Sequence, residues 1–244
     1  MKRLEIKNIY KSFDGKGVLE DVSLTLSEGE LVCLLGISGS GKTTLFNIIA
    51  GLTLPDAGQV LLDGEEITGK PGRISYMLQK DLLFPFRTIE DNVALPLRLK
   101  GMGKKEARRK AGELFEAFGL DGTQKKYPAQ LSGGMRQRAA LLRTYLFSGE
   151  VALLDEPFSA LDTITKSAIH QWYLRVMERI RLSTFFITHD IDEAILLSDR
   201  IYLLSGQPGR IVDEIVIEEP KPRPADFNLT EEFLSYKKKI LEKL

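Results

Sequence analysis

A glycine-rich segment that carries a lysine and two threonines is the strongest chemical signal in the sequence. It follows the pattern G-x-x-x-x-G-K-[ST], here as Gly36, Ile37, Ser38, Gly39, Ser40, Gly41, Lys42, Thr43 and Thr44. Glycines let the backbone curl so that several N–H groups point at one polyphosphate. Lys42 is then placed to reach the β- and γ-phosphates of a nucleotide, and the Thr43 hydroxyl to bind Mg²⁺. The pattern predicts a phosphate-binding loop, with a flexible turn as the alternative.

Two neighbouring carboxylates end a short apolar segment further along the chain. Residues 151–154 are apolar, and Asp155, Glu156 and Pro157 follow them. In enzymes with such a phosphate loop, an aspartate at this strand end helps to hold Mg²⁺. Glu156 is then placed to orient the attacking water or to take its proton. A strand that ends in a solvated turn is the alternative, and the phosphate loop favours the catalytic interpretation.

These groups need strands that end, and a helix that begins, at one edge of a sheet. Residues 31–35 are all apolar, which is typical of a strand buried on both faces, and residues 44–50 predict a helix after the loop. Helices are also predicted at 163–181 and 192–197, and further strands at 18–26, 58–62, 73–77, 151–154, 183–187, 200–204 and 210–217. This alternation predicts an α/β protein with a mostly parallel sheet.

A helical stretch at about residues 79–148 interrupts the alternation. Within residues 104–118, apolar side chains recur at helical spacing, at Ala107, Ala111, Leu114, Phe115 and Phe118. The other face carries five basic residues, and we expect it to be solvated rather than to bind an anionic partner: Lys104, Lys105, Arg108, Arg109 and Lys110. A final short helix is predicted over about residues 230–244, with one apolar side formed by Phe233, Ile240, Leu241 and Leu244.

Composition narrows the class of protein. Lys plus Arg equals Asp plus Glu at 34 each, whereas a nucleic-acid-binding protein usually carries a basic excess. The single cysteine, Cys33, allows no intramolecular disulfide, and its apolar neighbours predict a buried, inert thiol. No segment reaches the ~18 consecutive apolar residues that span a bilayer, and the N-terminus lacks a signal-peptide core. We therefore expect a cytosolic protein that reaches a membrane only through a partner.

Several shorter motifs accompany the phosphate loop and the acidic strand in a fixed order. Residues 131–135, Leu-Ser-Gly-Gly-Met, resemble the signature loop of the ABC ATPases, and residues 159–162, Ser-Ala-Leu-Asp, resemble their D-loop. Gln79 and His189 match the family's Q-loop glutamine and switch histidine, and Phe13 matches the aromatic residue that stacks on adenine. Each motif alone is common. All of them in this order make residues 2–217 similar to the ABC ATPases.

The resemblance implies a P-loop NTPase (RecA-like) core of the α/β class. This core has a mostly parallel sheet, an antiparallel β part and an inserted α-helical subdomain. The ATPase domain is expected to span residues 1–217, with the helical subdomain at about 79–148. Residues 218–244 are expected to form a Pro-rich linker and the short C-terminal helix.

The resemblance also implies how the site is built. ATP and Mg²⁺ are the implied cofactors. The implied catalytic residues are Glu156, His189 and Gln79, and the implied metal ligands are Thr43, Gln79 and Asp155. A second copy of the chain, in a head-to-tail dimer, is expected to contact the same ATP through Ser132, Gly133, Gly134, Met135 and Asp162.

A few positions depart from the family pattern or leave a choice open. Met135 stands where the family usually has glutamine, and we expect ATP binding in trans to survive because Ser132 and the backbone do the phosphate work. Tyr10 is an alternative to Phe13 for stacking on adenine, with Phe13 favoured by its place in the motif. His170 matches no motif, and we expect it at the surface.

Two classes of ABC protein fit the sequence: a transporter subunit, and a soluble ATPase for cofactor or iron–sulfur cluster assembly. A transporter subunit needs a docking surface for its permease, and residues 82–86, Leu-Leu-Phe-Pro-Phe, provide an apolar stretch after Gln79. Packing inside the subdomain is the alternative for that stretch. Residues 190–210 and 218–224 resemble the importers for nitrate, sulfonates and taurine.

The importer resemblance implies that ATP hydrolysis and closure of a homodimer drive solute import. It implies transmembrane permease subunits and, indirectly, a solute-binding protein as partners, and no nucleic acid. The expected location is the inner face of the cell membrane, reached through the permease.

Overall fold

The computed structural model describes residues 2–148, 150–159, 163–221, 223–224 and 226–244, with the backbone alone at 163–168. Its strands are β1 (Lys2–Phe13), β2 (Lys16–Ser27), β3 (Leu31–Leu35), β4 (Ala57–Leu62), β5 (Glu65–Glu66), β6 (Ser75–Met77), β7 (Val151–Asp155), β8 (Ser183–Thr188), β9 (Arg200–Ser205) and β10 (Arg210–Val216). Its α-helices are α1 (Lys42–Ile49), α2 (Ile89–Val93), α3 (Leu95–Leu99), α4 (Lys104–Gly112), α5 (Gly133–Ser148), α6 (Thr163–Ile180), α7 (Ile191–Leu197) and α8 (Glu231–Leu241).

A six-stranded sheet forms the centre of the fold, in the order β10-β9-β3-β8-β7-β6. All of its neighbouring strands are parallel except the edge pair β10 and β9. Leu35 pairs with Thr188, and Asp155 pairs with Ile187, so β3, β7 and β8 end at the same edge. This edge collects the phosphate loop, the acidic pair and the segment that carries His189. The predicted α/β fold with a mostly parallel sheet is confirmed.

A second, antiparallel sheet in the order β2-β1-β4-β5 lies against one face of the first. The buried strand β3 contributes to two hydrophobic clusters. Val32 and Leu34 belong to the cluster shared with the antiparallel sheet, and Leu31, Cys33 and Leu35 belong to the cluster on the helical side. The strand is therefore buried on both faces, and the Cys33 thiol is buried, as its apolar sequence predicted.

The helical stretch differs from its sequence prediction at one helix. We predicted a helix over residues 104–118, but α4 ends at Gly112, a poor helix former. The turns that follow still bury Phe115 and Phe118. The basic face is solvated as predicted, except at Arg108, which is half-buried and donates two hydrogen bonds, of 2.8 and 2.6 Å, to the carboxylate of Asp91 on α2.

The C-terminal segment packs back on the core. The buried guanidinium of Arg223 donates hydrogen bonds to the carbonyl oxygens of Ile195 and Ser198 at the end of α7. On α8, Phe233 and Ile240 are buried, as predicted, but Leu241 is 60% exposed because it lies one residue past the buried stripe. None of the helices in the described ranges is long and apolar enough to cross a membrane.

Candidate active site

The predicted phosphate-binding loop joins β3 to α1. Gly41, with φ +95°, caps α1 in a left-handed conformation that only glycine adopts at little cost. A Cβ atom on Gly36 would lie 2.2 Å from the carbonyl oxygen of Leu204, so glycine is required there too. Lys42 turns back, and its Nζ donates hydrogen bonds of 2.8 Å to the carbonyl oxygens of Gly36 and Ile37. The backbone of the loop therefore surrounds the ammonium group of its own lysine.

The ammonium of Lys42 is a buried cation whose charge is incompletely compensated. Burial lowers its pKa, although the negative charges of Glu156 and Asp155 oppose that shift. Taking a charge out of water is costly unless an opposite charge compensates it. An anionic group placed in the loop would supply that compensation, so the site favours phosphate.

Asp155 and Thr43 face each other across the same edge. The Thr43 Oγ1 atom lies 3.4 Å from Asp155 Oδ2. Burial, followed by the charge of Glu156, raises the pKa of Asp155. Mg²⁺ favours oxygen ligands and takes only one or two carboxylates from the protein beside substrate phosphates. A hydroxyl and a buried carboxylate at this spacing fit such an ion, whose charge would offset the repulsion between the two acids.

Glu156 is held from two sides by residues distant in sequence. Gln79 donates a 2.8 Å hydrogen bond from Nε2 to Glu156 Oε2, and His189 Nδ1 lies 3.0 Å from Glu156 Oε1. The backbone of Glu156 has φ +47°, a left-handed conformation that side-chain-bearing residues rarely adopt. The strain is maintained by the hydrogen bond from the Glu156 N–H to the carbonyl oxygen of Ile187 (3.0 Å). The structure thus brings the three predicted catalytic residues into direct contact.

A cavity of about 630 Å³ connects these groups. Most of the predicted nucleotide and metal residues line it: Ser38, Gly39, Gly41, Lys42, Thr43, Thr44, Gln79, Asp155, Glu156 and His189. Within the described part of the chain, the buried hydroxyl of Ser40 has no hydrogen-bond partner. A cavity of this volume is in the usual range for a nucleotide-sized ligand. The buried cation and the unpaired hydroxyl fit a polyphosphate.

The predicted signature loop lies beside the same acid. A second cavity, of about 750 Å³, is lined by Gly133 together with Gln79, Glu156 and His189. Ser132 is exposed, and its hydroxyl accepts a 3.3 Å hydrogen bond from the Met135 N–H in the first turn of α5.

The other residues predicted to contact ATP from a second copy are less exposed than Ser132 or lie outside the described residues. Met135 is half-buried against the hydrophobic core, and Gly134 lies between exposed and buried. Asp162 lies outside the described residues.

The two candidates for adenine stacking are both exposed aromatic rings on β1. Phe13 is 48% exposed and Tyr10 is 39% exposed, and among the described residues that line the 630 Å³ cavity neither ring appears. The Lys11 ammonium lies 5.0 Å from the Phe13 ring centroid and 2.8 Å from Asp56 Oδ1. Hydrogen bonds from Lys11 and Ser12 lower the pKa of Asp56 to about 2.

One site residue escaped the sequence analysis, and one expectation is wrong. Tyr76 on β6 lies near the acidic pair, where burial and then the charge of Asp155 raise its pKa. Only the pairing of β6 with β7 reveals this, and no local signal marks it. His170 is not at the surface as expected: its ring is buried and its Nε2 lies 3.1 Å from Glu193 Oε1. A buried acid on a neighbouring helix satisfies the imidazole.

Comparisons with known proteins agree with this geometry. Residues 19–159 match the family described as ABC transporter. The chain is 46% identical over 204 residues to the formylaminopyrimidine import ATP-binding protein ThiZ of Halalkalibacterium halodurans, with 84% of this chain and 79% of that protein covered. It is 38% identical over 247 residues to the nitrate import ATP-binding protein NrtD of Synechocystis sp., with 97% and 93% covered.

A solved structure is also similar. It is the dimeric, post-hydrolysis state of the ATP-binding cassette MJ0796 bound to ADP and Pi. The TM-score is 0.74 at 31% identity, with 89% of this chain and 100% of that chain covered.

Proposed function

This chain belongs to the ABC transporter family of ATP-binding subunits, and from that premise we propose that it hydrolyses ATP to drive the import of a small solute through a membrane permease. Membership confirms the resemblance predicted from the motifs, including its link to nitrate importers. The observation that carries the catalytic assignment is the position of Glu156, which Gln79 and His189 hold at the wall of the cavity that contains Lys42.

Each residue has a defined role in the proposed hydrolysis. The backbone N–H groups of residues 36–44 and the Lys42 ammonium bind the phosphates of ATP, at the positively polarised start of α1. Thr43, Asp155 and Gln79 would hold Mg²⁺, which when bound neutralises phosphate charge. Glu156 takes the proton of the attacking water. His189 and Gln79 hold the Glu156 carboxylate in place by their hydrogen bonds to its two oxygens.

We propose that the working unit is a head-to-tail homodimer. The 630 Å³ cavity is open on one side, so water reaches the phosphate site of a lone chain. A second copy would cover it with Ser132, with the N–H groups of Gly133 and Gly134 at the start of α5, and with Met135 and Asp162. The dimeric state of the similar ADP-bound cassette supports this arrangement.

The exposed apolar side chains after Gln79 support a permease partner. Leu82, Phe84 and Phe86 are 53%, 38% and 71% exposed, whereas Leu83 alone turns into the core. Exposed aromatic residues of this size are typical of protein interfaces. We propose that they dock on a transmembrane permease, which holds the chain at the inner face of the cell membrane. In this arrangement residues 1–217 form the ATPase domain, residues 79–148 its docking subdomain, and residues 218–244 a C-terminal appendage.

The two named relatives act on different solutes, formylaminopyrimidine and nitrate, at comparable identity. Since cassettes similar to this chain are named for different solutes, the cassette supports import without identifying the solute. Within the proposal, a small solute of the nitrate, sulfonate or taurine kind is delivered to the permease by a solute-binding protein.

Co-purification tests the partner directly. The Glu156→Gln variant should retain ATP but not hydrolyse it, and should therefore stay in its closed dimer on the permease. Tagged Glu156→Gln, purified from native membranes solubilised with Mg-ATP, is expected to bring down a multi-span membrane protein. A soluble partner alone would keep the ATPase assignment and replace the transport role with a cofactor-assembly role. Unchanged ATPase activity of the assembled complex in Lys42→Ala or Glu156→Gln would overturn the catalytic assignment itself.

A pair of matched variants tests the adenine contact. Stacking on an aromatic ring stabilises a bound base by about 1–3 kcal/mol, so Phe13→Ala is expected to weaken ATP binding about tenfold. Tyr10→Ala removes a similarly exposed ring from the same strand and is expected to change the affinity less than about twofold. Equilibrium titration with a fluorescent ATP analogue measures both, and the opposite order of effects would assign stacking to Tyr10.

A further inference from the structure

The chain has only two histidines, His170 and His189, and the first is buried whereas the second is exposed. His170 is on α6 and Glu193 is on α7, and their side chains meet at 3.1 Å with 10% and 2% of their surfaces exposed. The contact therefore links two helices in the interior of the protein. A hydrogen bond between such groups, one of them an acid, is costly to break because the remaining partner stays buried.

Glu193 connects this contact to His189 through the start of α7. The Asp190 side chain caps α7 by accepting hydrogen bonds from the N–H groups of Asp192 (3.0 Å) and Glu193 (3.2 Å). His189 immediately precedes that cap. Its side chain is 62% exposed, so little packing fixes its direction. The direction of the imidazole therefore depends on where the start of α7 holds the His189 backbone.

The other side of His170 connects to the loop that carries Glu156. The ring of Phe158 lies against the ring of His170, with centroids 4.9 Å apart and planes at 76°. Phe158 is buried and follows Glu156 by two residues, and the Glu156 carbonyl oxygen accepts hydrogen bonds from the N–H and hydroxyl groups of Ser159. One buried side chain thus contacts both segments whose tips meet as the Glu156–His189 pair.

We propose that His170 is a positioning residue for ATP hydrolysis, which holds the loop of Glu156 and the start of α7 in register so that His189 stays aligned on the Glu156 carboxylate. This inference rests on the proposed ATPase function. His170 does not line the 630 Å³ cavity, so it acts through Glu193 and Phe158 rather than on the substrate.

Nuclear magnetic resonance provides a readout independent of catalysis. With ring-labelled histidine, the wild-type chain gives signals from two imidazoles, and a His170 variant gives the signal of His189 alone. We expect the His189 signal of His170→Ala to shift and broaden. His170→Gln, whose amide N–H can still donate to Glu193, should restore it. An unchanged His189 signal in folded His170→Ala would overturn the proposal.

Kinetics provides the second readout. His170→Ala removes one buried hydrogen bond to an acid. If that loss raises the barrier to hydrolysis, kcat falls about tenfold, while KM for ATP stays within about twofold. His170→Gln is expected to recover most of the loss. A proportional rise in KM, or no recovery by glutamine, would indicate a general structural role and would contradict the proposal.

A matched control separates positioning from a general loosening of α6. Trp172→Phe removes the hydrogen bond from the indole N–H to the Ala117 carbonyl oxygen (3.4 Å), which joins the same helix to the helical stretch rather than to α7. It is expected to leave the kcat and the His189 signal unchanged. If His170→Ala fails to fold, Glu193→Gln changes the other partner of the same contact, replacing its carboxylate with an amide of the same shape, and is expected to shift the His189 signal.

The outcomes also separate this inference from the proposed function. A wild-type chain, alone or with its permease, that hydrolyses no ATP would overturn the proposed function, while the His189 signal would still test the contact. An active wild-type enzyme with an unaffected His170→Ala variant would overturn only the inference.

Discussion

The two ends of the central sheet handle charge in opposite ways. At the edge where β3, β7 and β8 end, charged groups are held in positions that disfavour their charged forms. Burial lowers the pKa of Lys42 and raises the pKa of Asp155, and Glu156 adopts a left-handed backbone. Each of these features costs stability in the isolated chain.

At the opposite end, the charges around Arg200 are paired with one another. The Arg200 guanidinium donates hydrogen bonds to Glu30, to Glu214 and to the carbonyl oxygen of Thr25. Burial would raise the pKa of Glu30, but hydrogen bonds from Arg200 and the Ser27 N–H outweigh it and lower the pKa. The hydrogen bond to Glu30 raises the pKa of Arg200 in turn.

The difference shows which end of the central sheet holds charged groups at a cost in stability. The groups around Arg200 compensate one another's charges within the fold. On the proposed function, phosphate and a cation would compensate the charges that the carboxyl end of the sheet leaves incompletely paired. Substitutions around Arg200 should therefore change stability, and substitutions at the carboxyl end of the sheet should change activity.

The largest expected effect is the loss of the proposed catalytic base. Glu156→Gln is expected to lower kcat by at least about 100-fold, because the amide cannot take a proton from water. The matched change at the other end, Glu214→Gln, removes a carboxylate from Arg200 and is expected to leave kcat unchanged. Phosphate release from Mg-ATP measures both, and equal losses in the two variants would contradict the division between the ends.

The next effect is on stability. Arg200→Met leaves Glu30 buried without its partner and is expected to lower the free energy of unfolding by about 3 kcal/mol, with kcat of the folded chain unchanged. Because the folded pKa of Glu30 is lowered, its contribution is present above its ordinary pKa of 4.5 and is lost as the pH falls through the folded pKa. Urea unfolding at several pH values should show the variant approaching wild type in acid. A constant difference at all pH values would mean that Glu30 is not the group involved.

The smallest effect has the opposite sign. Asp155→Asn removes a buried carboxylate that faces Glu156 and is expected to stabilise the chain without nucleotide by about 1 kcal/mol at neutral pH while ATPase activity is lost. Since the folded pKa of Asp155 is raised, its favourable contribution is present below 3.8 and lost as the pH rises through the folded pKa. The stabilisation should therefore vanish in acid. Thermal unfolding without ligand measures it, and a destabilised variant at neutral pH would show that the Thr43 contact outweighs the repulsion.

Much of the site could be predicted because its motifs are local. The curve of residues 36–44 requires glycine at fixed places. Asp155 and Glu156 end an apolar strand. Each motif can be recognised from consecutive residues. Their meeting at one edge also followed from sequence, since parallel strands joined by helices end on the same side. The contacts of Gln79 and His189 with Glu156 were expected only from the family resemblance.

The side-chain environments could not be predicted in the same way. His170 was expected at the surface because it matches no motif, and the partner that it meets in the interior, Glu193, lies on another helix. Tyr76 was missed because its proximity to Asp155 depends on the pairing of β6 with β7. The helix predicted over 104–118 ends at Gly112, a poor helix former, and the turns that follow bury Phe115 and Phe118 in its place.

The sequence by itself determined the phosphate loop, the acidic strand end, the α/β class and the resemblance to ABC ATPases, because each depends on short-range backbone chemistry or on the order of motifs. Only the tertiary structure decided which charges are compensated, which histidine is buried and what holds Glu156 in its left-handed conformation. These properties depend on distances between segments far apart in the chain, and burial by those segments sets the energy of every charge at the site.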